Sequence, residues 1–360
     1  MGHVSRSRWC RLNVAGTPVG VSHAGKYTTS PLESLLQCLC RTPISAPPVG
    51  MIPAIVNADF LHTPEAAAGD PPLAVITVTY SPGEHLSHLI ASLDAATRGK
   101  AHLVCADNGS TDGAPQRAAA EHEHVEFLPT GGNIGYGAAI NVAAAALRKR
   151  REANVIRSDY FLIVNPDVEF GPGSIDELIR CIDAAPEVGA AGPRIEEADG
   201  SAYPSAREVP GLATGIGHAL LYDVWPRNPF SRAYKADANM HVQRTAGWLS
   251  GACLLVRWDA FDAIGGFDER YFMYLEDIDF GDRLSRAGWD NLYCPSSVIL
   301  HDQGHVAGKF RKVTVPAHHG SAYRFQRDRH PHRWQAPLRW ALWLGLKVRG
   351  AFQLGLRKPR

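Results

Sequence analysis

The chain has 360 residues, 45% of them hydrophobic and 20% charged, a composition that excludes disorder throughout and leaves room for one large α/β domain or two smaller ones. A formal net charge of +1 gives no whole-protein argument for binding nucleic acid, and partners must be sought locally. The seven cysteines are odd in number, scattered, and without a CxxC pair or a preceding secretory signal, the pattern of reduced cytosolic thiols. No stretch reaches the roughly 18–20 uninterrupted apolar residues of a spanning helix, so any membrane contact is expected to be peripheral.

Residues 1–72 are expected to form a poorly ordered extension, because 42–53 and 62–72 are rich in proline and alanine and keep no sustained period; Met51 is a candidate start. From Leu73 onward, strands are predicted at 73–80, 102–105, 125–128 and 160–164, followed in turn by helices at 84–96, after Gly113, at 138–150 and at 174–184. Four such units predict an α/β fold with a mostly parallel sheet flanked by helices. Sites in such sheets lie at the carboxyl ends of the strands. Three polar clusters fall at those ends: Asp107-Asn108-Gly109-Ser110, residues 131–137, and Asn165-Pro166-Asp167.

Each cluster has two explanations. The run Asp107-Asn108-Gly109-Ser110-Thr111-Asp112-Gly113 makes a turn and helix cap by composition alone; functionally, Asp107 would accept an N–H of a nucleobase, a discriminating contact because an unpaired buried polar group is costly. Gly131-Gly132-Asn133-Ile134-Gly135-Tyr136-Gly137 either caps the alanine-rich helix after it or lets backbone approach a ligand closely. It is not the dinucleotide fingerprint, which belongs after the first strand with different spacing. Asn165-Pro166-Asp167 is a turn before Gly171, or it sets a carboxylate where a hard divalent cation bridges it to a diphosphate.

Further along, Glu276, Asp277 and Asp279 fall where a helix running to about Ala287 should begin, a place acidic residues favour for dipole reasons. The apolar Tyr271-Phe272-Met273-Tyr274 just before them predicts that at least one faces a partly buried cleft, where a base is tuned. His301 follows the strand-like 297–300 and is either a metal ligand or a hydrogen-bonded histidine. The segment 304–314, with Lys309, Arg311 and Lys312, is either a mobile basic lid over phosphates or a solvated loop. Within a basic tail at 336–360, a helix over 338–356 puts Trp340, Ala341, Leu344, Val348, Ala351 and Phe352 on one face and Arg339, Lys347, Arg349 and Gln353 on the other. That pattern suits an anionic membrane surface, with packing against the domain or a second copy in a homo-oligomer as the competing explanations.

In their order, the motifs resemble the inverting family 2 glycosyltransferases with the GT-A fold, over roughly 73–330: Thr77-Val78-Thr79-Tyr80, Ala106-Asp107-Asn108-Gly109-Ser110, Gly132-Asn133-Ile134-Gly135-Tyr136-Gly137, Asn165-Pro166-Asp167, Gly247-Trp248-Leu249-Ser250-Gly251-Ala252, Gly265-Gly266-Phe267-Asp268-Glu269, Glu276-Asp277-Ile278-Asp279 and His301. Each alone is weak; together and in order they are strong. The resemblance implies a transferase domain at 73–335 with a nucleotide-binding and an acceptor-binding half. The nucleotide-sugar donor would lie on Thr79, Tyr80, Asp107, Gly132, Asn133 and Asp167. Mg²⁺ or Mn²⁺ would be held by Asp167, the last acid of a metal motif that here reads Asn-Pro-Asp, with His301 as second protein ligand. Asp277 would be the general base, supported by Glu276 and Asp279, with Trp248, Arg207 and Asp279 toward the acceptor.

Tyr80-Ser81-Pro82-Gly83, Pro129-Thr130-Gly131, Tyr203-Pro204-Ser205-Ala206-Arg207, Trp225-Pro226-Arg227-Asn228-Pro229 and the run from Phe272 to Asp277 narrow the likeness to rhamnosyltransferases of this family. That implies dTDP-L-rhamnose as donor, the 3-hydroxyl of an N-acetylglucosaminyl-diphospho-polyprenol as acceptor, a place in joining peptidoglycan to arabinogalactan, and work at the cytoplasmic face of the plasma membrane. The rivals are a family member using a UDP-sugar, and a non-catalytic membrane-docking protein of the same fold. A Rossmann oxidoreductase is disfavoured by the missing glycine fingerprint.

Overall fold

The computed structural model describes residues 69–301, except 198, 213, 216–224, 226, 231 and 233–239, and residues 311–355. The expected extension at 1–72 lies almost wholly outside the described residues, and the basic segment 304–314 mostly so.

The first half alternates strands and helices: β1 (Leu73–Thr79), α1 (His85–Ala96), β2 (Ala101–Asp107), α2 (Ala114–Glu121), β3 (Val125–Pro129), α3 (Tyr136–Glu152), β4 (Tyr160–Val164), β5 (Val168–Phe170) and α4 (Ser174–Asp183). The second half holds β6 (Val188–Glu196), β7 (Ala202–Tyr203), β8 (Ala206–Arg207), β9 (Arg244–Ala246), β10 (Trp248–Leu249), β11 (Cys253–Arg257), α5 (Trp258–Ala263), α6 (Glu276–Arg286), β12 (Asp290–His301), α7 (Arg311–Arg329) and α8 (Ala336–Gly355).

The main sheet runs β3-β2-β1-β4-β11-β6-β12-β5. β3, β2, β1 and β4 pair in parallel, as do β6 and β12, whereas β11 enters antiparallel between β4 and β6. Because β11 is reversed, its start lies beside the end of β4, with Cys253 opposite Val164. The carboxyl ends of β1, β2, β3, β4 and β12 and the beginning of β11 therefore share one edge of the sheet.

β1 is buried along its whole length, as a central strand covered on both faces must be. Leu73 and Val75 join a core with Leu86, Leu89 and Leu93 of α1 and Leu178 of α4, while Ala74, Ile76 and Val78 join the opposite one with Ile140 and Leu147 of α3, Trp258, Phe261 and Phe280. The period-2 alternation of a strand thus feeds two layers. A smaller cluster of Trp248, Tyr271, Met273, Tyr274, Leu275, Ile278 and Phe325 lies where α7 packs beside the start of α6.

The polarity expected of the last helix needs one correction. Lys347 is exposed on the same side as Trp340, Leu344 and Val348, whereas Arg339 and Arg349 are half-buried. Arg339 donates to the carbonyls of His330 and His332 at 2.7 and 2.8 Å. Arg349 sits close enough to His318 and His319 of α7 to help, after burial, in pushing both imidazoles down to about 4. Both arginines thus lie on the inner side of the helix, not on an outer polar face.

Candidate active site

At the end of β1, the Thr79 hydroxyl donates to Asp107 Oδ1 at 2.8 Å, linking the first two strand ends. The Asp107 carboxylate also accepts the N–H groups of Gly109 at 3.2 Å and Ser110 at 3.0 Å, together with the Ser110 hydroxyl. A carboxylate has about four acceptor sites, so Asp107 is saturated by protein donors and gains a base N–H only by exchanging one of them. The following turns are tied together: Ser81 N–H donates to Ser110 Oγ at 2.7 Å and Gly83 N–H to Asp112 Oδ2 at 2.8 Å.

The glycine-rich turn after β3 is fastened to both halves of the molecule. Thr130 Oγ1 lies 2.8 Å from Asn108 Oδ1 and 2.8 Å from the Gly132 carbonyl, and Asn108 donates to the carbonyl of Gly135 at 3.1 Å. Gly135 has φ +97°, and a Cβ there would lie 2.6 Å from the Phe272 carbonyl oxygen, so only glycine fits that close approach. The Asn133 side chain accepts the Gly135 N–H at 3.3 Å. At the start of α3, Tyr136 donates its N–H to the Phe272 carbonyl at 3.2 Å and its hydroxyl to the Gly251 carbonyl at 2.7 Å.

Gly251 links the nucleotide side to the acids. Its N–H donates to Asp277 Oδ2 at 3.3 Å, and Asp277 Oδ1 accepts the Ile278 N–H at 2.8 Å. Tyr274 and Leu275, both non-glycine residues with left-handed φ of +65° and +61°, turn the chain so that Glu276 and Asp277 enter the first turn of α6. Such φ values are costly and are held where surrounding structure enforces them, as at functional sites. Glu276 and Asp277 are 3% and 2% exposed. Burial pushes both carboxyl groups up, and the charge of Asp277 raises Glu276 further. Two adjacent buried carboxyls do not both ionise readily, and of the two Glu276 holds its proton more readily than Asp277. Glu276 Oε2 has no partner among the described residues.

Arg207 and Trp248 are cross-strand partners in the β8–β10 ribbon. The guanidinium lies 5.6 Å from the ring centre of Tyr203 and 5.7 Å from that of Trp248, with Nε donating to the Pro204 carbonyl at 2.8 Å. Arg207 is 4% exposed, its Nη2 has no partner among the described residues, and its charge favours the ionised form of Asp277. Asp279 does not join this group. Two residues on in a helix of 3.6 residues per turn, it points about 200° away from Asp277, and it accepts Arg283 Nε at 2.6 Å. Arg283 in turn binds the carbonyls of Ile264 and Gly266 at 3.0 and 2.7 Å. Asp279 is thereby tied through Arg283 to the Gly265-Gly266 turn.

After β4, Asn165 N–H donates to the Ala252 carbonyl at 2.9 Å, which sets the Asn165-Pro166-Asp167 turn beside the Ser250-to-Cys253 turn that carries Gly251. On the other side, β12 pairs with β5 so that His301 faces Val168. Asp167 and His301 are 7% and 3% exposed, and His301 Nε2 lies 3.1 Å from Asp167 Oδ1. An octahedral cation with bonds of about 2.1 Å needs neighbouring ligand atoms about 3 Å apart, so the pair fits two adjacent corners of such a site. No cluster of three or more His, Cys, Asp or Glu able to hold a metal occurs among the described residues.

The sequence motifs gathered here agree with the comparisons to known proteins. The model of glycosyl transferase family 2 matches residues 74–250. The N-acetylglucosaminyl-diphospho-decaprenol L-rhamnosyltransferase of Mycobacterium tuberculosis is 48% identical over 292 residues, 80% of this chain and 95% of that protein. The chain belongs to glycosyltransferase family 2. The rhamnosyltransferase WbbL of Escherichia coli is 25% identical over 253 residues, 70% of this chain and 91% of its own. Among solved structures, a mannosyltransferase from Pyrobaculum calidifontis in complex with GDP-Man and Mn²⁺ aligns over 84% of this chain and 81% of its own, at 15% identity and a TM-score of 0.46, too distant to bear on the site. The α/β fold with its mostly parallel, helix-flanked sheet is the GT-A fold expected of a family 2 glycosyltransferase. Two contributors carried no role in the sequence: Tyr136, which sits inside the glycine-rich motif, and Gly251, whose peptide joins Tyr136 to Asp277.

Proposed function

We propose that this glycosyltransferase moves L-rhamnose from dTDP-L-rhamnose to the 3-hydroxyl of an N-acetylglucosaminyl-diphospho-polyprenol in one displacement with inversion. The observation that carries the chemistry is Asp277: a buried carboxylate held in place by the Gly251 and Ile278 N–H groups, made more basic by burial, at the edge where the strand ends converge. The 48% identity across 95% of the M. tuberculosis rhamnosyltransferase supports the sugar and the acceptor.

The donor base lies over Tyr80 and the Gly132-Asn133 turn, with Asp107 accepting its N–H in exchange for the Ser110 hydroxyl. The diphosphate lies toward Asp167 and His301, the residues that would hold Mg²⁺ or Mn²⁺. A cation held there would neutralise charge on the departing nucleoside diphosphate. Arg207 meets the acceptor with its unpartnered Nη2 while Trp248 gives it an apolar wall. Asp277 takes the proton from the acceptor hydroxyl as that oxygen attacks the anomeric carbon, and Glu276 stays protonated beside it. No covalent intermediate forms, because the hydroxyl itself is the nucleophile. Residues 73–335 form the transferase domain, acting at the cytoplasmic face of the plasma membrane. The test is a panel of dTDP-rhamnose, UDP-galactofuranose and UDP-N-acetylglucosamine with a short-chain prenyl-diphospho-N-acetylglucosamine and divalent metal. Product with dTDP-rhamnose alone is expected, and product with a UDP-sugar alone overturns the donor assignment.

A further inference from the structure

We propose that the outward side of α8 is the surface on which the protein rests against an anionic lipid bilayer, with Trp340 and Trp343 entering the headgroup boundary. In a soluble helix the apolar stripe faces the core and the charges face water. In α8 the outward side is apolar instead: Trp340 is 63% exposed, Val348 60%, Trp343 42% and Leu344 40%, and Trp334 just before the helix is 77% exposed. The one charge among them is Lys347, whose ammonium lies 5.9 Å from the Trp343 ring centre. Arg339 and Arg349 are turned to the inner side. Exposed tryptophans with long cationic side chains at their margin are the chemistry of a membrane interface. No helix among the described residues is long and apolar enough to cross a membrane, so α8 lies in the plane of the surface.

Charge selects the occupant. Residues 329–360 hold eight basic and no acidic side chains, so in a chain of net charge +1 the first 328 residues are net −7. Arg329 is paired with Asp282 and only Lys347 lies on the face itself, but a second copy docking here by two-fold symmetry would still bring two net-basic segments together, whereas anionic headgroups complement such a segment. The acidic remainder is repelled from the same surface, which orients the protein with α8 down. The contact also reaches the site: α7, which packs on α8, places Phe325 in the cluster with Trp248, Tyr274 and Ile278 and donates from the Ser321 hydroxyl to the Met273 carbonyl at 2.8 Å, just before the turn that presents Glu276 and Asp277. The inference deepens the proposed function by naming how a lipid-linked acceptor is met, but vesicle binding is read without turnover and stands or falls apart from the donor and acceptor assignments.

The experiment is flotation of the full chain with phosphatidylglycerol–phosphatidylcholine vesicles and with phosphatidylcholine alone, for the wild type and for W340Q/W343Q. Both tryptophans are exposed, so the melting temperature of the variant should match the wild type. The wild type is expected to float with anionic vesicles and far less with neutral ones, and the variant to lose about tenfold or more in partitioning. Absence of wild-type flotation, or equal flotation of the variant, overturns the proposal. Self-association of the wild type that the variant abolishes, with no flotation by either, overturns it in favour of a second copy.

Discussion

Replacing Glu276 by Gln and Asp277 by Asn separates the roles of two adjacent acids that differ little in burial. Burial and the Asp277 charge push the Glu276 carboxyl up to about 8, so near pH 7 Gln would replace a mostly protonated acid by a neutral amide of the same size. Its kcat/KM near pH 7 should stay within about fivefold of wild type, since neither a base nor a charge is lost. Asn at 277 keeps an oxygen for the Ile278 N–H at 2.8 Å and weakens the longer contact to Gly251 at 3.3 Å. Its cost in stability should be about 1 kcal/mol, while turnover falls by about 10² to 10⁴, the worth of a general base. Stability adds a second readout. A carboxyl whose folded-state pKa is raised above the unfolded value of about 4.3 stabilises the fold below that value and loses the contribution as pH rises through its raised pKa. Wild type should therefore lose melting temperature relative to E276Q as pH rises from about 4.3 to about 8, and the gap should level off above that. Initial rates and thermal melts across pH 5 to 10 measure both. A loss of 10²-fold in E276Q with D277N near normal would refute the assignment and make Glu276 the base.

Two further substitutions probe the frame. Gly135→Ala forces a Cβ to within 2.6 Å of the Phe272 carbonyl at a φ of +97°, and should cost about 2 kcal/mol or more by denaturant unfolding; an unchanged unfolding midpoint contradicts the close approach. His301→Ala should raise the metal concentration for half-maximal activity by about tenfold or more, with the donor KM at saturating metal much less affected; an unchanged metal requirement removes His301 from the cation site.

What was legible in the sequence follows from local physics. β1 and β4 are continuously buried and rich in apolar and β-branched residues because both faces are covered, and such runs are readable without neighbours. β6 was not readable: its Gly189, Ala190, Ala191, Gly192 and Pro193 look like a loop, and the reason for them is tertiary, since a Cβ on Gly189 would lie 2.8 Å from Trp289 and one on Gly192 3.3 Å from Leu249. The reversed β11, which brings Gly251 beside the end of β4, depends on pairing at long range and leaves no periodic trace. At the site, Asp277, Asp167 and His301 stand out through motif order, whereas the pairing of Asp279 with Arg283 is not visible from spacing alone. The helical period of α8 is visible, whereas which side turns inward depends on contacts made outside the helix, such as those of Arg339 with the carbonyls of His330 and His332.

The central claim is a single displacement in which Asp277 activates an acceptor hydroxyl, and its most direct test is the anomeric configuration of the product. Transfer from dTDP-L-rhamnose to the prenyl-diphospho-N-acetylglucosamine, followed by NMR of the new linkage, is predicted to give the configuration opposite to that of the donor. Retention of the donor configuration would require a covalent or front-side route that the hydroxyl–Asp277 arrangement does not provide, and would contradict the account.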